Sequence, residues 1–425
     1  MTAIDKINAI SEQGLCSGCG LCESIAGKDV IRVKQVANGY ERPVIQQTPS
    51  DEVVESIYAS CPGLKIAGLP EELLESDTEV DPVWGPLREL KRAHATSPAA
   101  RFEASTGGVL TALAQYLLDS NTVDFVLQVA TSDVTPAFGD PVISERAEDA
   151  FNTAGSRYGP AAPLRLVHAA LDREQLFAFV GKPCDVAAVR NLAKLDTRVG
   201  KYLKVCLTMV CGGTMVPAAL DEFLQRQQID GDDVKALRYR GKGCPGPTTI
   251  TTRHEQHDFH YLDFWGEDES AWQLPFRCKI CPDGIGEAAD IAAADTWPGG
   301  SPSREESETD PGSNAVIART QFGSWLIQAA EQAGYLSIEH DLTIEDLDLF
   351  QPHQVRKKYA AFDRIQGLAD VGGLAPEVNG LRIKALAKTR TAKEREQARN
   401  GTRLRVENGN AAEATPAALN SQDEK

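Results

Sequence analysis

The sequence contains no apolar run approaching the roughly 18 residues that a membrane-spanning helix requires, so no membrane span is expected. Its first residues, MTAIDKINAISEQGLC, have neither the basic start nor the apolar core of a secretory leader, and export is not expected either. An excess of basic charge is also missing. The net charge is −17, which argues against general nucleic-acid binding, because that needs a basic surface. No internal repeat is present, although two strand–Cys–helix units resemble each other loosely. Histidine is scarce, at seven residues, and only His254-x-x-His257-x-x-His260 has regular spacing. That group lies in a polar, β-like run whose alternate residues face opposite sides, and it reads as solvated surface. What remains is an ordinary composition, 42% apolar and 25% charged, in 425 residues, enough for two or three domains with a sizeable core. A cytoplasmic location is expected.

Ten cysteines are present and unevenly placed. In a reducing compartment, grouped cysteines more often bind metal or do redox chemistry than form disulfides. Cys16-x-x-Cys19-x-x-Cys22, with Cys61-Pro62 further on, is the strongest local signal. Two residues between cysteines let successive thiolates face one centre. Gly18 and Gly20 let the backbone wrap closely and turn its N–H groups inward. Zinc sites usually combine two separated CxxC pairs, whereas a third cysteine at the same spacing and a fourth before proline favour a 4Fe-4S cluster. Cys61 is chosen as the fourth ligand because it precedes Pro62. The usual second ferredoxin motif is missing, so one cluster is expected here.

The chain divides into four stretches. Residues 1–70 form a ferredoxin-like segment, followed by an acidic, Pro-bearing linker over 71–86. Residues 88–175 and 176–370 form two parts of an α/β body, and residues 371–425 are a basic segment running into a tail expected to be disordered from about residue 400. Within the body, Val109–Ser120 has a helical apolar face and Val123–Ala130 reads as a buried strand. Strand Leu176–Val180, helix Asp185–Leu195, strand Leu203–Val210 and helix Val216–Gln228 then alternate, which implies mostly parallel strands in a mixed α/β fold. Residues 237–265 carry β-like runs, expected as hairpins, and residues 301–314 form an acidic loop.

Cys184 and Cys211 each follow one of these strands. Ligand sites in open α/β sheets lie at the carboxyl ends of strands, so both thiols fall on one sheet edge. With Cys278-x-x-Cys281 they could hold a second 4Fe-4S cluster, or they could be buried small apolar residues, as free cysteine often is. Cys206 lies mid-strand and reads as core. Cys244, in a Gly-Cys-Pro turn, reads as a cysteine that could be reactive.

Taken in order, the segments ASTGGVLTAL (Ala104 to Leu113), GSRY (Gly155 to Tyr158), GKPC (Gly181 to Cys184), VCGG (Val210 to Gly213), CKIC (Cys278 to Cys281) and ADI (Ala289 to Ile291) resemble the beta subunits of coenzyme F-420 (deazaflavin) hydrogenases and dehydrogenases, and their relatives among chlorophyll-pathway reductases. The resemblance implies FAD, with a 4Fe-4S cluster beside it on Cys184, Cys211, Cys278 and Cys281. The N-terminal segment would then exchange electrons with it. Segments RYRGKGCPGP (Arg238 to Pro247) and WGEDESAWQLPF (Trp265 to Phe276) depart from the hydrogenase pattern and leave the substrate open.

In that family setting, Ser105-Thr106-Gly107-Gly108 at a helix start is the candidate cradle for the FAD pyrophosphate, a plain N-cap being the alternative. Ser156, Arg157 and Tyr158 offer a cation for phosphate and a ring for stacking, unless they are a surface loop. Lys182 could stabilise anionic reduced flavin or be solvated. Asp283, Asp290 and Asp295 read as capping or backbone-bonding acids, one of them a candidate for contact with flavin or substrate. The function expected is an oxidoreductase relaying single electrons from a ferredoxin-like donor through two 4Fe-4S clusters to FAD, which would exchange two electrons with an organic substrate or deazaflavin. The alternative is an electron-transfer beta subunit of a larger complex. Expected partners are ferredoxin or another redox protein and a small-molecule substrate, with a homo-oligomer or complex as the setting. Arg382 to Arg405 holds nine Lys or Arg against two Glu, a candidate surface for steering an acidic carrier.

Overall fold

The computed structural model describes residues 1–267, 272–305, 307 and 309–417. Its centre is an eight-stranded sheet built from β1 (Glu89–Ala95), β2 (Phe125–Thr131), β3 (Gly139–Ser144), β4 (Phe177–Gly181), β5 (Leu203–Met209), β6 (Ile291–Asp295), β7 (Asn314–Ala318) and β8 (Leu336–Asp341). Their spatial order is β8-β1-β7-β6-β5-β4-β2-β3. The four central strands β6, β5, β4 and β2 pair in parallel. The strands at both margins pair antiparallel. The central strands are apolar along nearly their whole length, as sequences such as FAFVG and IAAAD require when both faces are covered.

Helix Val109–Asp119 buries Val109, Ala112, Leu113, Leu117 and Leu118 against this sheet. Helix Pro183–Leu192 crosses from β4 to β5, the strand–helix–strand unit expected from the alternating pattern. Thus the helix start after β4, which carries Cys184, and the loop after β5, which carries Cys211, lie at the same sheet edge.

The N-terminal segment is helix Ala3–Glu12, the cysteine loop, helix Leu21–Ala26, a hairpin of Ile31–Gln35 with Glu41–Ile45, and helix Asp51–Ser60, which ends at Cys61. Its core residues Ile7, Ile10, Leu15, Ile31, Val54 and Ile57 pack with Phe276 and Ile280. These last two flank Cys278, so one apolar cluster joins the two cysteine motifs.

Three expectations are corrected. Residues 71–86 are not a plain linker: Glu79–Asp81 pairs with Gly85–Leu87, and Trp84 is fully buried, its indole N–H donating to Asp348 at 2.8 Å. Arg319, also buried, donates to the carbonyls of Trp84 and Pro86 and fixes this hairpin on the body. Residues 261–265 form a short helix instead of a strand, because His260 and Asp263 cap its start. The region from residue 400 begins inside helix Ala392–Glu407; residues 418–425 of the expected tail lie outside the described residues.

Helix Ala392–Glu407 packs along helix Pro352–Asp370, and the charge of the basic segment is partly spent there. Arg395 pairs with Asp363 at 3.1 Å, Arg399 with Asp370, and Arg382 with the buried Glu287, which Lys358 also contacts. The surface is therefore less basic than its sequence, because acids distant in the chain neutralise it. Thr391 and Glu394 form a reciprocal cap at the helix start. Replacing Thr391 with Ala is expected to destabilise the protein by about 1 kcal/mol in denaturant unfolding, the usual value for a lost N-cap. Among the described residues no helix is long and apolar enough to cross a membrane.

Candidate functional site

Three adjoining cavities run from the N-terminal segment into the sheet edge. The first, of about 480 Å3, is lined by Cys16, Cys19, Cys22 and Cys61. The two-residue spacings place Cys16 and Cys19 on one loop and Cys22 in the first turn of helix Leu21–Ala26, and helix Asp51–Ser60 delivers the fourth. Gly20 adopts φ +85°, and a Cβ there would come within 2.6 Å of Arg165, so only glycine lets the loop close. Backbone N–H groups face the sulfurs: Gly18 donates to Cys16 at 3.4 Å, while Leu21 serves Cys19, Glu23 serves Cys22, and Gly63 and Leu64 serve Cys61. Burial, with the neighbouring Cys16, pushes the Cys61 thiol up to about 12.

The second cavity, of about 780 Å3, is lined by Cys184, Cys211, Cys278 and Cys281, and also by Cys16. The expected pair of strand-end thiols and the CxxC pair therefore do meet. Cys184 lies in the first turn of helix Pro183–Leu192, and Cys211 follows β5, its N–H donating to Gly284 at 2.7 Å. Burial, then Cys278, pushes the Cys211 thiol up to about 12. In each cavity the thiols wall a hollow. Among the described residues no group of three or more His, Cys, Asp or Glu closes on a single ion.

The third cavity, of about 1830 Å3, shares Lys182 and Cys211 with the second. Ser105, Thr106, Gly108, Ser156, Arg157 and Tyr158 line it. The two predicted segments are tied together, since the Ser105 hydroxyl accepts the Ser156 N–H at 2.7 Å. Gly108 starts the helix at φ +76°, where a Cβ would lie 2.9 Å from the Ala100 carbonyl. Gly107 does not reach the cavity; it packs on Asn314, which leaves no room for a Cβ. Arg157 makes no ion pair among the described residues, and burial with the nearby Arg238 pulls its guanidinium down to about 10. Lys182 is not free in solvent: it pairs with the buried Asp185 at 2.8 Å.

Sequence reasoning missed three buried arginines, Arg240, Arg277 and Arg42. Arg240, buried, donates to the Ser105 carbonyl at 2.7 Å, to Thr106 at 2.8 Å and to Asp295 at 3.0 Å, and lies over the Trp297 ring. Asp295 is thus the one acid of the three that lines the third cavity; Asp290 holds Arg190 and the Cys206 N–H, and Asp283 accepts the Glu287 N–H. Arg277, also buried, sits among the second set of thiols. Arg42 lines the second cavity and is clasped by Glu413 from the C-terminal stretch at 2.7 Å. The glycine-rich surroundings of Arg240 were the only available signal. Cys206 is fully buried in β5, as expected. Cys244 is buried too, its thiol donating to Asp310 and held protonated by burial, which corrects its reading as a turn cysteine that could be reactive. His254 and His257 face Asp233 and Glu255 on the surface hairpin.

Comparison with known proteins first gives a class: the curated relatives are F420-dependent oxidoreductases or their subunits. Residues 90–168 match the N-terminal and residues 174–341 the C-terminal part of the family described as coenzyme F420 hydrogenase/dehydrogenase, beta subunit, together more than half of the chain. The chain belongs to this beta-subunit family. It is 23% identical over 403 residues to the coenzyme F420-dependent sulfite reductase of Methanocaldococcus jannaschii, covering 89% of this chain and 57% of that protein. It is 27% identical over 254 residues to the beta subunit of F420-dependent formate dehydrogenase 1 of Methanococcus maripaludis, covering 58% and 60%. The chain thus spans between half and two thirds of the length of these two relatives. In fold it is similar to a chain of the F420-reducing [NiFe] hydrogenase complex from Methanosarcina barkeri, with a TM-score of 0.54 at 20% identity, covering 71% of this chain and 98% of that one.

Proposed function

We propose that the chain is the flavin- and iron–sulfur-bearing electron-transfer subunit of an F420-linked oxidoreductase complex. The observation that carries this reading is the shared walls of the three cavities: Cys16 lines both thiol-ringed cavities, and Lys182 and Cys211 line both the second and the third. The residues fit the groups. Each hollow has four thiols of its own set, with Cys16 of the first set reaching the second hollow as well, and N–H groups of the first point at its sulfurs, the surroundings that 4Fe-4S centres use. The third cavity offers at Arg157 a guanidinium with no ion pair among the described residues, and a helix start at Gly108, suited to the phosphates of FAD. When bound, the clusters would carry electrons singly and the flavin would exchange them in pairs with a deazaflavin.

The side chains then divide the work. Cys16, Cys19, Cys22 and Cys61 hold the N-terminal group, and Cys184, Cys211, Cys278 and Cys281 the second. Arg240 locks the Ser105–Thr106 turn against Asp295, so the phosphate-facing backbone stays fixed. Lys182, steadied by Asp185, keeps a positive charge where the second and third cavities meet.

A self-contained oxidoreductase is the second reading. It is favoured by the aromatic rim of Tyr261, Trp265, Trp272 and Trp297 around the third cavity, which could receive an organic substrate. Purification without oxygen tests both. About eight irons with matching acid-labile sulfide and one FAD are expected per chain, with dye-linked turnover but no net chemistry until a partner subunit is added. Stoichiometric zinc without sulfide would overturn the cofactor assignment, and turnover of an organic substrate by the chain alone would favour the second reading.

A further inference from the structure

The two thiol-lined cavities differ in charge. Beside its cysteines the first is walled by apolar side chains such as Ile7, Ile10, Leu21, Ile25, Val33 and Ile57, with no charged side chain among its described lining residues. The second is lined by the cations Arg42, Lys182, Arg277 and Lys357 and the acids Glu41 and Asp283. Most of these charges are answered locally. Arg42 is held by Glu413, Lys182 by Asp185, and Glu41 lies 3.8 Å from Arg165. Asp283 accepts the Glu287 N–H near Lys358.

Two cations have no carboxylate partner among the described residues. Arg277 is 3% exposed, hydrogen-bonds Cys281 and lies beside Cys184 and Cys278. Its other donors go to the Pro62 carbonyl, at 2.8 and 3.2 Å, the residue after Cys61. Lys357 donates to the Gly212 carbonyl at 2.9 Å, next to Cys211. Leaving a guanidinium buried without a carboxylate is costly unless an anion occupies the space it faces. A cluster held by four thiolates is such an anion, and reduction adds one more negative charge to it.

We infer that Arg277, assisted by Lys357, raises the reduction potential of the Cys184/Cys211/Cys278/Cys281 centre above that of the N-terminal centre, making it the electron sink of the pair. This rests on the reading that each thiol set holds a 4Fe-4S cluster. A fixed positive charge in a poorly hydrated wall favours the more negative redox state, and surrounding charge and hydrogen bonds to sulfur are the levers that set cluster potentials. The N-terminal centre, walled by aliphatic groups, has less of that help: Arg277 acts on Cys61 as well, but its main thiol partners are Cys281, Cys184 and Cys278, and Arg42 beside Cys16 is neutralised by Glu413. An electron arriving at the N-terminal centre would then move downhill toward the third cavity, and the hydrogen bond from Arg277 to Pro62 ties the sink to the backbone of the donor centre.

The test is a redox titration of the whole protein followed by electron paramagnetic resonance, with mediators poised by dithionite donating one electron to each centre. The signal absent from Cys278→Ser identifies the second centre. In the unaltered protein that signal is expected to develop first as the potential is lowered. Arg277→Gln and Lys357→Gln are each expected to shift its reduced-to-oxidised ratio at fixed poise by about tenfold or more, 59 mV for a one-electron couple, toward the oxidised form. The N-terminal signal should move less, and Arg277→Lys should keep most of the original potential. If Arg277→Gln fails to assemble, Lys357→Gln, on a half-buried helix position, carries the comparison. Earlier reduction of the N-terminal centre in the unaltered protein, or unchanged ratios in the glutamine variants, would overturn the inference while leaving two clusters in place. Absence of iron from either site would overturn the cluster reading and this inference with it.

Discussion

The Cys278→Ser variant is expected to retain about four of about eight irons, with the N-terminal centre intact. The second cavity draws its thiols from three separate segments, and Cys278 lies in a four-residue helix, Phe276–Lys279, whose apolar neighbours Phe276 and Ile280 belong to the core shared with the N-terminal segment. Loss of one thiolate removes a ligand from one hollow only, because Cys278 does not line the first. Cys206→Ser is the matched control. That thiol is fully buried in the middle of β5, opposite Phe179 on β4, and burial pushes it up to about 12. Its replacement should reduce stability and leave iron and acid-labile sulfide unchanged. Equal iron in the two variants would refute the ligand set.

The second large effect concerns flavin retention. Replacing Arg157 with Gln is expected to weaken FAD binding by roughly 10- to 150-fold, since a hydrogen bond to a charged group contributes about 1.5–3 kcal/mol. Arg157 spends one donor on the Ser156 carbonyl and no charge on any acid among the described residues. Its neighbour Arg238 supplies the contrast: it contacts the Glu103 carbonyl, pairs with the Glu103 carboxylate at 3.4 Å, and does not line the third cavity. Arg238→Gln should therefore leave flavin affinity nearly unchanged. Titration of the flavin-free protein with FAD, followed by quenching of flavin fluorescence, measures both. Undiminished affinity in Arg157→Gln would remove the 155–158 loop from the flavin site. A substitution at Gly108 is a poorer probe, because its backbone conformation and the Ala100 carbonyl penalise any side chain whatever occupies the cavity.

Local chemistry was legible wherever neighbours in sequence are neighbours in space. The spacing of Cys16, Cys19 and Cys22 brings three thiols together over one loop and the helix turn that follows it, and the alternation of β4, helix Pro183–Leu192 and β5 places Cys184 and Cys211 at one sheet edge through the rule for parallel strands. The aromatic run at 261–265 misled because its composition suits a strand, while two capping side chains, His260 and Asp263, make it a helix. The acidic stretch at 71–86 misled because its most deeply buried side chain, Trp84, finds Asp348 far along the chain.

By itself, then, the sequence determined the cysteine motifs, the parallel sheet centre and the order of elements, since these depend on spacing and periodicity over a few residues to a few turns. Only the tertiary structure decided which charges those motifs meet. Arg277 reaches Pro62 across 215 positions, and Arg240 reaches Ser105 across 135. An arginine in a sequence is ordinarily solvated, and nothing near it in the chain records that it will be buried. Its environment is set when distant segments close over it, and that closure lines one thiol-ringed cavity with two cations that have no carboxylate partner among the described residues and lines the other with apolar side chains.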